Sequence, residues 1–171
     1  MKTINVKLDP RSIEKAIQEL QEYKAEIERR VELLVRTLTE QGAELARAKL
    51  LEYGAYNFGE LYNSIEGVIT DNYGIIRVNS EYALFIEFGT GPIGAKNPHP
   101  SGEGATYKSE PWYTKADGKP MDLWYGWTPI ELDDGTIIYQ TYGQKAKPFM
   151  WETAQLLREN LETTAKEIFE S

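Results

Sequence analysis

Cysteine is absent from the 171 residues. That removes disulfide scaffolds, thiolate zinc sites, iron–sulfur clusters and thiol nucleophiles. Histidine occurs once, at His99, between Pro98 and Pro100. A lone imidazole makes no triad without an orienting carboxylate and an activated nucleophile, and the sequence has no G-x-S-x-G elbow. With one nitrogen ligand and no thiolate, a metal site would have to be built from oxygen alone. Asp133-Asp134-Gly135 reads as a turn rather than as such a ligand set. No apolar run approaches the ~18 residues of a spanning helix, and Met1 to Asn5 carries no apolar signal region. No G-x-x-x-x-G-K-[ST] phosphate loop is present. Gly89-Thr90-Gly91-Pro92-Ile93-Gly94 satisfies G-x-G-x-x-G letter for letter. Pro92 and the following Pro98-His99-Pro100 argue against the helix a dinucleotide site needs, so a cofactor is not expected. No catalytic, cofactor-binding or metal-ligating residue is assigned, and the chain is expected not to be an enzyme.

What is present is close to a globular average: 41% apolar and 27% charged residues, which disfavours disorder. The charge is unevenly spread. Residues 1–53 carry ten basic and ten acidic side chains, while residues 54–171 carry nine and seventeen, so the whole net charge of −8 lies in the second part. An acidic body repels phosphate backbones, so no specific nucleic-acid binding is expected.

Proline is also missing between Pro10 and Pro92, and nothing of that kind breaks a first long helix. Asp9-Pro10 is a helix start. Ile13, Ile17, Leu20, Ile27, Val31, Leu34, Leu38 and Leu45 then recur at steps of three and four, with Lys24 and Gln41 in the polar slots of the seam. Helix is predicted from Pro10 to Tyr53-Gly54, either continuous at about 65 Å or folded as a hairpin with Gly42 as the candidate hinge. Residues 1–53 form the helical arm of this reading and residues 54–171 an α+β body.

Within the body, Ile65 to Ile69 and Ile75 to Val78 flank a turn-rich Asp71-Asn72-Tyr73-Gly74, predicting a hairpin. Tyr82 to Phe88 reads as a short helix ending at Gly89, with a buried strand as the alternative. Residues 90–127 are so dense in glycine and proline that an extended insertion is expected. Gly126-Trp127 is read as a strand opening, Thr136 to Gln140 as a strand, and Lys147-Pro148 as the start of a last helix. The fold class is therefore α+β: a long N-terminal helix or helical hairpin, a small, mostly antiparallel sheet of three to four strands, and a C-terminal helix.

The insertion is rich in aromatics, including Tyr107, Trp112, Tyr113, Trp124, Tyr125 and Trp127. Three uses are open for them: a satellite core under the loop, anchors of a protein interface, or stacking platforms for a sugar. A carbohydrate- or host-surface-binding module is thus one alternative function. A carboxylate-based hydrolase is another, resting only on the abundance of Asp and Glu.

Three stretches in order resemble the HK97-type tail-component family of tailed bacteriophages, small neck and tail-completion proteins. Gly59-Glu60-Leu61-Tyr62-Asn63-Ser64-Ile65 is similar to the family's G-x-L-x-x-S-I. Tyr82-Ala83-Leu84-Phe85-Ile86-Glu87-Phe88-Gly89-Thr90-Gly91 is similar to its Y-A-x-x-[VI]-E-[FY]-G-T. Gly143-Gln144-Lys145-Ala146-Lys147-Pro148-Phe149-Met150 is similar to its G-x-x-[AP]-x-P-F-[ML] before a closing helix. The resemblance spans roughly residues 35–165, and residues 1–35 carry no matching motif. It implies a virion protein of the head–tail junction or proximal tail, made in the bacterial host cytoplasm, with no membrane association. Its implied partners are other copies of itself and phage neck or tail proteins. The signature residues are expected to shape the subunit, with Tyr82, Phe85 and Ile86 anchoring a short helix to the sheet. The candidate interface comprises Ile13, Ile17 and Leu20 on the arm and Trp112, Trp124 and Trp127 in the loop.

Overall fold

A computed structural model describes residues 6–54, 59–70, 73–115 and 127–170. Its first element is a single helix, α1, from Pro10 to Glu52. Asp9 caps it, its carboxylate accepting from the Ser12 N–H at 3.0 Å, and Pro10 stands where a missing N–H costs nothing. Lys15–Glu19 and Lys24–Glu28 pairs at one-turn spacing line its exposed side.

The hairpin alternative is excluded, because α1 runs through Gly42 without a break. Gly42 serves close approach instead. A Cβ there would meet the Ile76 side chain and come within 2.8 Å of Leu157 Cδ1, so its lack of side chain lets strand and helix lie against α1.

After α2 (Gly59–Asn63), strands β1 (Ile65–Ile69) and β2 (Gly74–Val78) form the predicted antiparallel hairpin. Asp71 and Asn72 of its turn lie outside the described residues. Ile65 pairs with Val78 and Ile69 with Gly74. Helices α3 (Ala83–Phe88) and α4 (Gly91–Lys96) follow, then β3 (Trp112–Lys115), β4 (Pro129–Glu131) and β5 (Ile137–Thr141). These three strands make a second antiparallel sheet in the order β3-β5-β4. Helix α5, Phe149–Glu170, closes the chain.

The α+β class stands as read from the sequence, with two refinements. The strands divide into sheets of two and three, and the 90–127 stretch contains regular structure, α4 and β3, where none was expected. Glycine and proline start α4 rather than preventing it: Pro92 sits in its first turn, where no N–H is needed. The strand expected to open at Gly126-Trp127 begins at Pro129 among the described residues.

Helix α5 lies antiparallel to the C-terminal part of α1. Arg30 Nη1 donates to the Ile168 carbonyl at 2.8 Å, and at the other end Lys49 pairs with Glu152 at 3.5 Å. The core sits between these helices and the hairpin: Ala43, Ala46, Leu50, Leu61, Ile65, Ile86 and Phe149 are buried together. Beyond the level of Ile168, α1 continues to Pro10 past the end of α5, about 30 Å of helix at ~1.5 Å per residue.

The Tyr53 hydroxyl, at the end of α1, donates to Glu152 on α5. Burial first, then that hydrogen bond and the carboxylate's charge, raises the Tyr53 pKa well above its usual value of 10.0. The folded state therefore keeps this proton after the unfolded chain has released it. The contribution is whole below pH 10 and is lost as pH rises beyond it. Between about pH 9 and pH 11, the urea midpoint of the parent chain should fall more steeply than that of Tyr53→Phe. Parallel slopes would show that the pair carries no such coupling.

Candidate functional site

The three sequence motifs meet at one place. In the first, Leu61 and Ile65 are fully buried, and Ser64 ends α2 by donating from its hydroxyl to the Leu61 carbonyl at 2.8 Å. The Ser64 carbonyl then accepts from the Asn79 N–H, closing the hairpin's open end. Gly59 opens α2 on the exposed side.

The second and third motifs are joined by hydrogen bonds along their length. The Thr90 N–H donates to the Gln144 carbonyl at 2.8 Å, and the Gln144 N–H returns to the Thr90 carbonyl at 3.1 Å. The Lys147 N–H donates to the Ile86 carbonyl, and the Ala146 N–H to Asn97. Two glycines permit this closeness. Gly89 has φ +75°, and a Cβ on it would stand 2.6 Å from the Ala146 nitrogen. Gly143 has φ +83°, and its Cβ would strike the Thr90 carbonyl oxygen. Both positions combine left-handed backbone with lack of space, which only glycine meets.

Glu87 is the centre of the junction. It is buried on α3, yet its carboxylate reaches the start of α5. Oε2 accepts from the Met150 N–H and Oε1 from the Trp151 N–H, both at 2.9 Å. The residue before α5 is Pro148, which has no side-chain acceptor, so the cap comes from a carboxylate more than sixty positions away. Negative charge at a helix N-terminus is also favoured by the helix dipole.

Buried His99 completes the arrangement, with Nε2 3.1 Å from Glu87 Oε1. Its Nδ1 accepts from the Ser101 N–H at 2.9 Å, which leaves Nε2 as the nitrogen that donates to Glu87. Phe88 packs on the imidazole at a 34° tilt with centroids 4.5 Å apart, and Trp151 meets it edge-on. The Tyr107 hydroxyl donates to the Phe88 carbonyl. The ring is thus held in place by its two hydrogen bonds and by the flanking aromatic residues.

Glu87 and His99 are thus paired, while Asp133 lies elsewhere, in the β4–β5 turn. That turn is as predicted: the Thr136 N–H donates to Asp134, and Gly135 is left-handed. A cleft of 590 Å³ adjoins Glu87 and His99, bordered by Ser80, Leu84 and Trp151. The Ser80 hydroxyl is buried there without a hydrogen-bond partner. Both imidazole nitrogens of His99, which borders the same cleft, are already engaged, by Ser101 and Glu87. Among the described residues no cluster of three His, Asp or Glu side chains is placed to hold a metal ion. The G-x-G-x-x-G stretch does start a helix, contrary to the expectation, but α4 spans only Gly91–Lys96 and is fed by helix α3 rather than by a strand. It lacks the strand–turn–helix geometry of a dinucleotide site.

Ile86 is buried and Tyr82 and Ala83 pack against the core, whereas Phe85 is 57% exposed and does not anchor α3 as expected. Its carbonyl accepts from the Gln144 side chain instead. Pro148 and Phe149 are buried at the start of α5.

The candidate interface residues separate into two groups. Ile13, Ile17 and Leu20 are 43%, 50% and 54% exposed on the projecting part of α1. Trp112 and Trp127 are half-buried, and Trp124 lies outside the described residues. The Lys108 ammonium stands 4.9 Å from the Trp112 ring centroid, so that ring already has a cation over it. Sequence reasoning missed the Glu87–His99 pair. The signal available was a histidine fixed between two prolines and a final helix whose preceding proline cannot cap it. No helix among the described residues is long and apolar enough to cross a membrane.

No family model, curated protein or solved structure matches the chain.

Replacing Glu87 by Ala strands two helix N–H groups and the imidazole N–H. The chain should lose about 2–4 kcal/mol in denaturant unfolding, and Glu87→Gln, which keeps one acceptor, should lose less. Gly143→Ala should be destabilised by more than about 1 kcal/mol. A Gly143→Ala variant as stable as the parent would show that residues 89–91 and 142–146 are not held this close.

Proposed function

We propose that this chain is a structural protein of a bacteriophage virion, at the head–tail junction or proximal tail. It acts by self-association and docking during tail completion or head–tail joining, not by chemistry. The observation that carries the reading is the convergence of the three ordered motifs on one junction. The glutamate of the second caps the helix that follows the third, while Leu61 and Ile65 of the first lie in the same core as Phe149. Motifs spent on mutual support define the shape of a subunit, which is what a component repeated by symmetry needs.

Two further features support it. The carboxylate and imidazole that would be the obvious candidates for acid–base work are committed to capping and to each other. The long α1 projects an apolar stripe past the end of α5, an arrangement suited to contact with another subunit.

Deleting the gene from a phage that carries it should yield DNA-filled heads and separate tails that fail to join, seen by electron microscopy. Normal infectious particles would overturn the role. Alanine at Trp112 and Trp127 should impair assembly while leaving the fold intact by circular dichroism. Unimpaired assembly would remove the aromatic loop from the interface.

A further inference from the structure

We propose that the N-terminal part of α1, the projecting stretch and the turn that follows it, pairs with the same segment of a second copy of this chain, antiparallel, along the seam through Ile17, Leu20, Ile27 and Val31. The pairing rests on the self-associating role proposed above and deepens it by naming the surface and its mate.

The seam has the period of a two-helix contact. From Ile13 the steps alternate four and three, through Ile17, Leu20, Lys24, Ile27 and Val31 to Leu34. The mean step is that of a heptad core. Ile17, Lys24 and Val31 then share one core position, and Leu20, Ile27 and Leu34 the other. This stripe is not spent on the chain's own body: Ile17, Leu20, Ile27 and Val31 are 37–54% exposed.

Charge selects the mate. The net −8 lies entirely in residues 54–171, so two bodies repel, whereas residues 1–53 are neutral overall and carry both signs interspersed. A neutral arm offers no field to steer a strongly basic or acidic partner, and two such arms do not repel each other.

Lys24 selects the direction. Its side chain is 76% exposed and sits at a core position of the seam. A parallel pair would set two Lys24 ammonium groups in one layer. An antiparallel pair with Lys24 opposite Ile27 of the second copy sets each ammonium beside Glu28 of that copy, twice by the two-fold axis. Lys24 already pairs with Glu28 of its own helix at 3.6 Å, so the carboxylate lies at the height this register needs. The antiparallel arrangement also carries the two acidic bodies to opposite ends of the seam.

Sedimentation of the full chain should show a species of twice the 19.5 kDa monomer. The double variant Ile17→Asp, Leu20→Asp alters only exposed side chains outside the core. It should keep its circular dichroism and thermal midpoint while its dimer weakens by on the order of 100-fold. Because the chain has no cysteine, single introduced thiols report the register. Leu20→Cys mixed with Val31→Cys should form a mixed disulfide. Leu20→Cys alone should not link to itself, since its two copies would be about 16 Å apart along the axis. A monomeric parent chain, a dimer indifferent to the aspartates, or ready self-linkage of Leu20→Cys would each overturn the pairing. A monomer whose deletion still blocks head–tail joining would sink this pairing alone. A seam-dependent dimer whose deletion leaves infectivity normal would sink the virion role alone.

Discussion

The body of this protein depends on a single carboxylate placed where a helix begins. Glu87 answers the free N–H groups of Met150 and Trp151 and takes the His99 N–H as well. A buried charge is tolerable only when hydrogen bonds replace its water. Here three donors do so, and the dipole of a 22-residue helix adds to them. Because α3 carries the glutamate and α5 carries the N–H groups, this contact ties the two helices together, beside the Lys147 N–H bond to the Ile86 carbonyl.

Other constraints in the body converge on it. Gly89 and Gly143 allow the backbone after α3 to lie against the backbone before α5 closely enough for the carboxylate to reach. Phe88 and Trp151, the neighbours of the two ends, flank the imidazole. Phe149, beside the cap, is fully buried among Leu50, Leu61 and Ile65. Polar satisfaction and apolar burial thus reinforce one geometry, the consistency expected of a sequence that specifies one shape.

The arm obeys a different logic. Its C-terminal part is held by α5 and the hairpin, with Gly42 admitting Ile76 and Leu157. Its N-terminal part has helix propensity, a good cap and intrahelical ion pairs, but its apolar stripe faces outward. Short isolated helices are marginal in water, so continuity with the anchored part sustains this one. In the proposed virion role, rigidity of that kind would hold a docking surface at a defined distance from the body.

Local pattern determined much of the fold. Asp9-Pro10 and the three-and-four spacing marked α1, alternating β-branched residues around a turn marked the first hairpin, and Asp134-Gly135 marked the second. These features are legible because each is settled within a few residues by caps, periodicity and turn chemistry. Tertiary structure alone decided what Glu87 and His99 do, because the groups they satisfy are distant in sequence and a carboxylate's partner is not written in its neighbours. It also decided that Gly42 is a contact rather than a hinge, that Phe85 faces outward, and that the strands form two sheets. Each of those outcomes depends on which surfaces meet, and that is a property of the folded chain rather than of any segment.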